Sequence, residues 1–296
     1  IVSANTPIPA QFLLSRWAKK NRVKFVFWLQ DIISIAAISL LSKKIPIIGG
    51  VIGKLMNYAE RYSLRNSDAI VCICDDFKLI LEKWNITDNV HVIPNWAPIE
   101  EMPIHPKDNH WSRLHNIENK FVILYSGTMG MKHNPNVITD AAEKLKGNTD
   151  IVFVVVSEGA GADYIKNKAK QRNLNILILP FQEFSILPKV LASSDILLTV
   201  LEKDAGIFSV PSKVWSYYCA ARASFLCVPE DNLAARITIQ NKAGIVFQDN
   251  QDFIEMINYF KMNRHELADL GVRARRYAED NFDIQKITCK FENIIK

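Results

Sequence analysis

From residue 121 onward the chain alternates short, β-branched apolar runs with longer stretches of helical spacing, and that alternation leaves few folds open. The runs 121–125 (FVILY), 151–156 (IVFVVV), 176–179 (ILIL), 196–201 (ILLTVL), 225–228 (FLCV) and 245–247 (IVF) have strand length and no polar face. Segments 135–146, 162–172, 186–192, 212–221 and 233–241 between them read as helices. A strand that enters a helix returns to the sheet parallel to its predecessor, with helices covering both faces, so this half is expected to be a complete doubly wound α/β domain. A smaller set precedes it. Strands are expected at 1–4, 24–29, 69–73 and 90–93, and helices at 10–20 and at 77–84, the latter capped by Asp75 and Asp76. A long helical region runs to about residue 65, broken by Pro46 and Gly49-Gly50. These strands are too few for a sheet of similar size, and the chain opens directly into a strand at Ile1, so further N-terminal sequence is expected to complete the domain.

The expected organisation is a partial first domain over 1–100, a linker over 101–118, a second domain over 119–275 and a C-terminal helical segment over 276–296. The linker rests on Pro98, Pro103 and Pro106 among charges without an apolar period. Ile284, Ile287, Phe291 and Ile294-Ile295 recur at helical spacing after Asp283, so the terminal helix carries one stripe to bury.

A length of 296 residues suits two domains, and 49% hydrophobic content excludes a disordered chain. The longest apolar stretch, 32–41, stops at Ser42-Lys43-Lys44, well short of the ~20 residues a membrane span needs. No charged leader with an apolar core is visible. Cys72, Cys74, Cys219, Cys227 and Cys289 form no C-x-x-C pair and read as reduced thiols of a cytoplasmic protein. His105, His110 and His115 stand five apart, which does not suit a metal site, and no metal or other cofactor is expected. The net charge of +5 is uneven: Arg16, Lys19, Lys20, Arg22, Lys24, Lys43 and Lys44 face Asp31 alone within residues 1–50, interleaved with Phe12, Leu13, Leu14 and Trp17. Such a surface can be a solvated helix face, can rest on anionic headgroups, or can touch nucleic acid. The solvated face is the default. Membrane contact comes second because 32–56 is so apolar, and nucleic acid is set aside.

Ligands of open α/β sheets bind at the carboxyl ends of the strands. After 121–125 comes Ser126-Gly127-Thr128-Met129-Gly130-Met131-Lys132-His133-Asn134-Pro135, a glycine turn feeding a helix start, with Asn134 suited to the cap and Pro135 to the first helical position. Backbone amides and the lysine favour phosphate, although a tight turn without a ligand explains the glycines equally well. Gly159 and Gly161 mark a second turn after 151–156. After 196–201, Glu202 and Asp204 can hold sugar hydroxyls, while Ser209, Pro211, Ser212 and Lys213 surround a helix start suited to a diphosphate. His91 and His133 are lone histidines and read as structural or surface residues.

These residues resemble glycosyltransferase family 4, the retaining GT-B transferases of bacterial surface polysaccharide synthesis. The likeness is carried by YSGTMGMKHNP (125–135), VVVSEGAGADYIK (154–166), the long block LPFQEFSILPKVLASSDILLTVLEKDAGIFSVPSKVWSYYCAAR (179–222) and EDNLAARI (230–237). VIPNWA (92–97) is similar to the family's hinge entry, FVFWLQDI (25–32) to its acceptor-side strand, and RRYAEDNFD to the helix that crosses back to the first domain. The resemblance implies two Rossmann-like doubly wound domains, the N-terminal one incomplete. It implies a nucleotide-sugar donor, UDP by family habit, and a glycan or lipid-linked acceptor. By the same resemblance Gly127, Thr128 and Gly130 line the donor diphosphate with Lys132 close by, and Gly159 faces the donor. Phe181 and Gln182 hold the base. Ser209, Pro211, Ser212 and Lys213 bind phosphate and donor sugar, and Asp31 lies where the family keeps a His or Asp near the reacting centre. Many members carry two glutamates where Phe208 and Ser216 stand here, which leaves the ribose grip to Ser216, and Ala221 replaces the usual glycine.

The implied reaction is transfer with retention, the leaving diphosphate being stabilised by backbone amides and Lys132 or Lys213. Two other readings stay open. A sugar-nucleotide epimerase can share the architecture but needs an acid/base pair that is not evident, and a nucleotide-sugar-binding fragment would lack transfer.

Overall fold

The computed structural model describes residues 1–4, 6–130, 133–202 and 209–296. The chain divides into two compact units, one made of Ile1–Asn95, Ile207–Val210 and Ile284–Lys296, the other of Trp96–Gly206 and Pro211–Asp283.

The first unit holds four parallel strands in sequential order, β1 (Val2–Ala4), β2 (Val26–Leu29), β3 (Ala69–Cys72) and β4 (Val90–Val92). Its helices are α1 (Ile8–Asn21), α2 (Ile33–Lys44), α3 (Pro46–Arg65) and α4 (Asp75–Lys83). Two expectations change here. The long helical region breaks directly before Pro46, as expected, but not at Gly49-Gly50; Gly49 and Gly53 lie inside α3, where they let α2 approach. A Cβ on Gly49 would fall 2.3 Å from the Leu41 carbonyl oxygen, and one on Gly53 would fall 2.6 Å from Ile38 Cγ1. α4 starts at Asp75, not at 77, so Asp75 and Asp76 occupy its first turn and act on the helix dipole; Cys74 takes the cap position without a side-chain hydrogen bond.

The second unit is built on six parallel strands, β5 (Phe121–Ser126), β6 (Ile151–Val156), β7 (Ile176–Leu179), β8 (Ile196–Val200), β9 (Ala223–Cys227) and β10 (Gly244–Phe247), in the order β10-β9-β8-β5-β6-β7. The chain winds outward from β5 in one direction and then resumes from β8 in the other, so the winding reverses between β5 and β8. Phe121, Ile123 and Tyr125 pack with Val137, Ile138 and Ala141 of α6 (Asn136–Lys144), Ile165 of α7 (Ala160–Arg172) and Phe253, Ile257 and Phe260 of α11 (Asn250–Met262). Covered faces explain the apolar runs. Sequence reading left 248–275 unassigned; α11, capped by Asp249, and α12 (Arg264–Asn281) fill it.

Residues 101–118 contain α5 (His110–Leu114), a single turn too short to show a period. Asn109 and Ser112 form a reciprocal capping box that makes this helix start legible after the fact. Lys107 donates to the Asp195 carboxylate, which also accepts from Val122 N, and Arg275 donates to the Met102 and Cys219 carbonyls at 2.8 and 2.7 Å. These bonds tie the stretch to the second unit.

The terminal helix α13 (Ile284–Ile295) belongs to the first unit. Ile287 inserts among Val26, Ala69, Val71 and Ile93, and the Phe291 ring meets Trp28 at 5.0 Å. Lys24 Nζ donates to the last carbonyls, Ile294 and Ile295, closing the C-terminal end. Because Ile287 is the one fully buried anchor among the described residues of this helix, Ile287→Ala is expected to cost about 2–5 kcal/mol in denaturant unfolding of the first unit and to expose 284–296 to limited proteolysis.

Candidate active site

The carboxyl edge of the six-stranded sheet, where the winding reverses, is built around Tyr125. Its ring is buried at the end of β5, and its hydroxyl donates to the Thr128 carbonyl at 2.8 Å. Tyr217, on α9 (Lys213–Cys219), accepts from Ser126 N at 3.0 Å and donates back to the Ser126 carbonyl at 3.0 Å. Burial pushes both phenols up from their usual value, so both hydroxyls keep their protons and serve as fixed donors.

Two aromatic hydroxyls thus pin the turn 126–128 from below. The turn needs glycine at its centre, because Gly127 has φ +127° and its amide reaches back to the Val156 carbonyl at 3.0 Å. A Cβ there would also lie 3.1 Å from Lys213 Nζ. That ammonium sits 3.6 Å from the centroid of the Tyr125 ring, in cation–π geometry. The result is a positive charge mounted on an aromatic face directly beside a glycine turn at the sheet's switch point. An anionic group resting on this turn would meet the charge without asking the lysine to move.

Other expected residues fall into place around this core. Gly130 N donates to His133 Nδ1 at 3.0 Å, and His133 N donates to the Gly130 carbonyl at 3.1 Å, so this histidine closes the glycine turn. The Gly130 amide is thereby committed to a protein partner. Pro135 takes the cap position of the helix rather than its first helical one, and Asn134 stands one residue before it, its side chain accepting from Asn136 N at 3.0 Å. Gly159, φ +95°, precedes α7, and Gly161 backs onto Met129, bringing the second turn against the first. Glu158 accepts from Phe181 N at 3.1 Å, holding the half-exposed Phe181 at the end of β7. Gln182 is already engaged: its carbonyl accepts from Trp111 Nε1 at 3.2 Å and its amide donates to the Pro180 carbonyl. Trp111 was not foreseen, because it lies in the stretch read as a linker.

Pro211 is buried and Ser212 is exposed at the cap of α9, which begins at Lys213 rather than at 212; Ser216 lies one turn on. Glu202 lines a recess of about 250 Å³ at the ends of β8 and β9, together with Asn134, Asp140, Gln248 and Asp249. Asp31 and Ser209 belong to the first unit. Lys132, Asp204 and Phe208 lie outside the described residues. Among the described residues no cluster of His, Cys, Asp or Glu is arranged to hold a metal ion, and no helix is long and apolar enough to cross a membrane.

A parallel sheet wound 3-2-1-4-5-6, with a glycine turn and a lysine at its switch point, defines a nucleotide-binding class of α/β domain. Residues 107–277, more than half of the chain, match the family of glycosyl transferases group 1, and the chain belongs to that family. A relative from Escherichia coli K12, WcaI, named for glycosyl transfer in colanic acid biosynthesis, is 27% identical over 254 residues, 84% of this chain and 62% of the relative. The chain therefore spans less than two thirds of that relative's length. Among solved structures, Anabaena HepE with UDP-glucose superposes with a TM-score of 0.77 at 12% identity over 99% of this chain and 78% of that one. HepE with UDP and glucose gives 0.80 at 12% identity, over 99% and 77%. Sucrose-phosphate synthase from Thermosynechococcus elongatus gives 0.78 at 10% identity, over 99% and 72%. The two parallel α/β sheets are those of the GT-B fold.

Tyr217→Phe would leave the part-buried Ser126 amide without its acceptor. The expected cost is about 1–3 kcal/mol, read as a lower midpoint in thermal or denaturant unfolding.

Proposed function

We propose that this chain is the body of a retaining, family 4 type glycosyltransferase, an enzyme that moves a sugar from a UDP-sugar to a glycan or lipid-linked acceptor in cell-surface polysaccharide synthesis. The observation that carries the reading is the Lys213 ammonium held on the Tyr125 ring beside the Gly127 turn. Membership in the glycosyl transferase group 1 family supports it, as do the WcaI relative and the UDP-bound structures of HepE.

In this reading the donor diphosphate lies against the turn of Gly127, Thr128 and Gly130, whose two glycine amides stay bonded within the protein, with Lys132 and Lys213 as its charge partners. Gly159 and Phe181 border the nucleotide, and Gln182 meets the base through its backbone, since its side chain is bonded to Trp111. Ser216 serves the ribose. Ser209, Pro211 and Ser212 take phosphate and sugar, Glu202 and Asp204 take sugar hydroxyls, and Asp31 serves the acceptor. As the bond from the anomeric carbon to the diphosphate oxygen breaks, negative charge gathers on that oxygen and positive charge on the sugar ring. A lysine already oriented stabilises the leaving oxygen without reorganisation, which is where such groups contribute most. The acceptor hydroxyl then bonds to the anomeric carbon on the face the diphosphate leaves, and the departing phosphate takes its proton. No metal has a role in this scheme.

The proposal extends to location, the cytoplasmic face of the inner membrane. α1 exposes Leu13 and Trp17, and α3 exposes Ile48, Val51, Ile52, Leu55 and Tyr58 at helical spacing along one face. The two helices pack together through Phe12 on Tyr62 and Ser15 on Ser63. Arg16, Lys19, Lys20 and Lys54 are exposed on the same helices. An apolar stripe with basic neighbours suits anionic headgroups.

Two measurements test this. In the full-length protein, Lys213→Ala is expected to lower kcat for sugar transfer by about 10²–10³-fold. Unchanged turnover would reject the assignment, and a new epimer of the donor, seen by NMR without acceptor, would move the protein to the epimerase class. In sedimentation with vesicles, binding is expected with anionic and not with zwitterionic lipid, weakened by salt and lost in Trp17→Glu/Leu55→Glu; equal binding to both lipids would remove the membrane part alone.

A further inference from the structure

Among the described residues Glu60 is the most deeply buried carboxylate, 2% exposed, and the reaction scheme above gives it no task. It lies on α3 and reaches the start of α2. Its Oε1 accepts from Ile33 N at 3.1 Å, and its Oε2 accepts from Ser34 N at 3.2 Å and from Ser34 Oγ at 2.5 Å. Asn57 Nδ2 donates to the same Ser34 hydroxyl at 3.1 Å.

The sequence explains why a distant residue caps this helix. Ile32 holds the cap position and has no side-chain acceptor, so the first amides of α2 have no local partner. A serine or aspartate at residue 32 would satisfy them at the surface. A carboxylate brought from α3 and buried costs more, because desolvation penalises its charged form. Burial indeed pushes the Glu60 carboxyl up from its ordinary value, against the hydrogen bonds from Ser34 and Ile33 that pull it down. A cap alone does not account for that cost.

What distinguishes the position is its neighbour. Glu60 and Asp31 line one small cavity, together with Thr6, Gln11, Phe27 and Ile33. At about 10 Å³ it is at the lower limit for admitting a single water. Asp31 stands two residues before the first amide that Glu60 holds, in the turn that joins β2 to α2. A carboxylate that grips two consecutive amides with separate oxygens fixes the direction of that turn, which one oxygen cannot do.

We propose that Glu60 is a positioning residue: by binding the amides of Ile33 and Ser34 it sets the turn that carries Asp31, and so the orientation of the Asp31 carboxylate toward the acceptor. The inference rests on the reading of Asp31 given above. Asp31 touches the reactants in that reading, and Glu60 acts only through it.

The test is a double-mutant cycle in the full-length enzyme with Glu60→Gln, Asp31→Asn and the pair, read as kcat at saturating donor, acceptor KM, UDP affinity and thermal midpoint. Glu60→Gln keeps the volume but offers one oxygen and turns an N–H toward a backbone N–H. Its kcat is expected to fall about 10–100-fold, in line with the sensitivity of catalysis to small misplacement, with UDP affinity unchanged. In the Asp31→Asn background the same change is expected to have no further effect on kcat. An equal loss of kcat in both backgrounds, or a loss that only follows the folded fraction, would reduce Glu60 to a structural cap and overturn the inference. Should Glu60→Gln fail to fold, Ser34→Ala takes its place in the cycle. It keeps both backbone contacts, is expected to show a smaller loss confined to the Asp31 background, and overturns the inference if it shows none. Failure of the wild-type enzyme to transfer sugar removes the proposed function and this inference with it, whereas transfer unaffected by Glu60→Gln removes the inference alone.

Discussion

Tyr125 is the residue at which the sheet and the candidate site become one structure. Its ring closes the apolar core at the end of β5, its hydroxyl holds the Thr128 carbonyl, and its open face carries the Lys213 ammonium. A lysine in water is a mobile charge, and its four-carbon stem loses entropy when a ligand fixes it. Stacking on a ring that cannot move meets that cost during folding, so the charge is in place beforehand. The ring in turn cannot move because β5 is central and paired on both sides. The position of the charge therefore depends on the packing of the whole sheet, and the lysine lies beside a turn whose positive φ at Gly127 a side chain would strain.

The second unit was legible because its signals are local. Strands covered on both faces are uniformly apolar, and glycine, asparagine and proline punctuate their ends, so all six strands stand within a residue or two of their expected bounds. Gly127 and Lys213 were each visible as residues suited to phosphate. Their juxtaposition was not, since it depends on α9 returning to β5 across 86 residues of chain through Tyr125 and Tyr217, neither of which carries a signal beyond hydrophobicity. Trp111 was hidden for a related reason. A one-turn helix has no period, and the prolines that precede it read as a linker. His133 looked isolated because its partner is a backbone amide, which no side-chain pattern reveals.

The first unit was less legible, and α3 shows why. Sequence reading took its glycines as a break, the usual meaning of Gly-Gly in a helical stretch. In the structure Gly49 is a contact point, as is Gly53 one turn on, and their cost in propensity is offset by the close approach of α2. At 100° per residue, Gly49, Gly53 and Glu60 fall within about 40° of one another on the helix, so one narrow face of α3 both packs on α2 and caps it. Ile48, Val51, Ile52, Leu55 and Tyr58 cluster on the opposite side, where they are exposed. No hydropathy pattern separates these roles, because an apolar stripe reads as buried whichever way it faces.

That arrangement departs from the usual amphipathic helix, which hides its apolar stripe and shows its charges, although α3 still buries Leu64 and exposes Lys54 and Arg65. α3 buries an acid and two glycines and displays aliphatic side chains. Stability of the unit alone does not favour either choice: the buried carboxylate pays desolvation, and the exposed stripe gains nothing from water. In the readings proposed for this chain each face of the helix answers to something else, the inner one to the turn bearing Asp31 and the outer one to a membrane surface. The glycines and Glu60 on one side and the exposed stripe on the other belong to one helix, so the placement of the Asp31 turn and the placement of the apolar stripe are set by the same twenty residues.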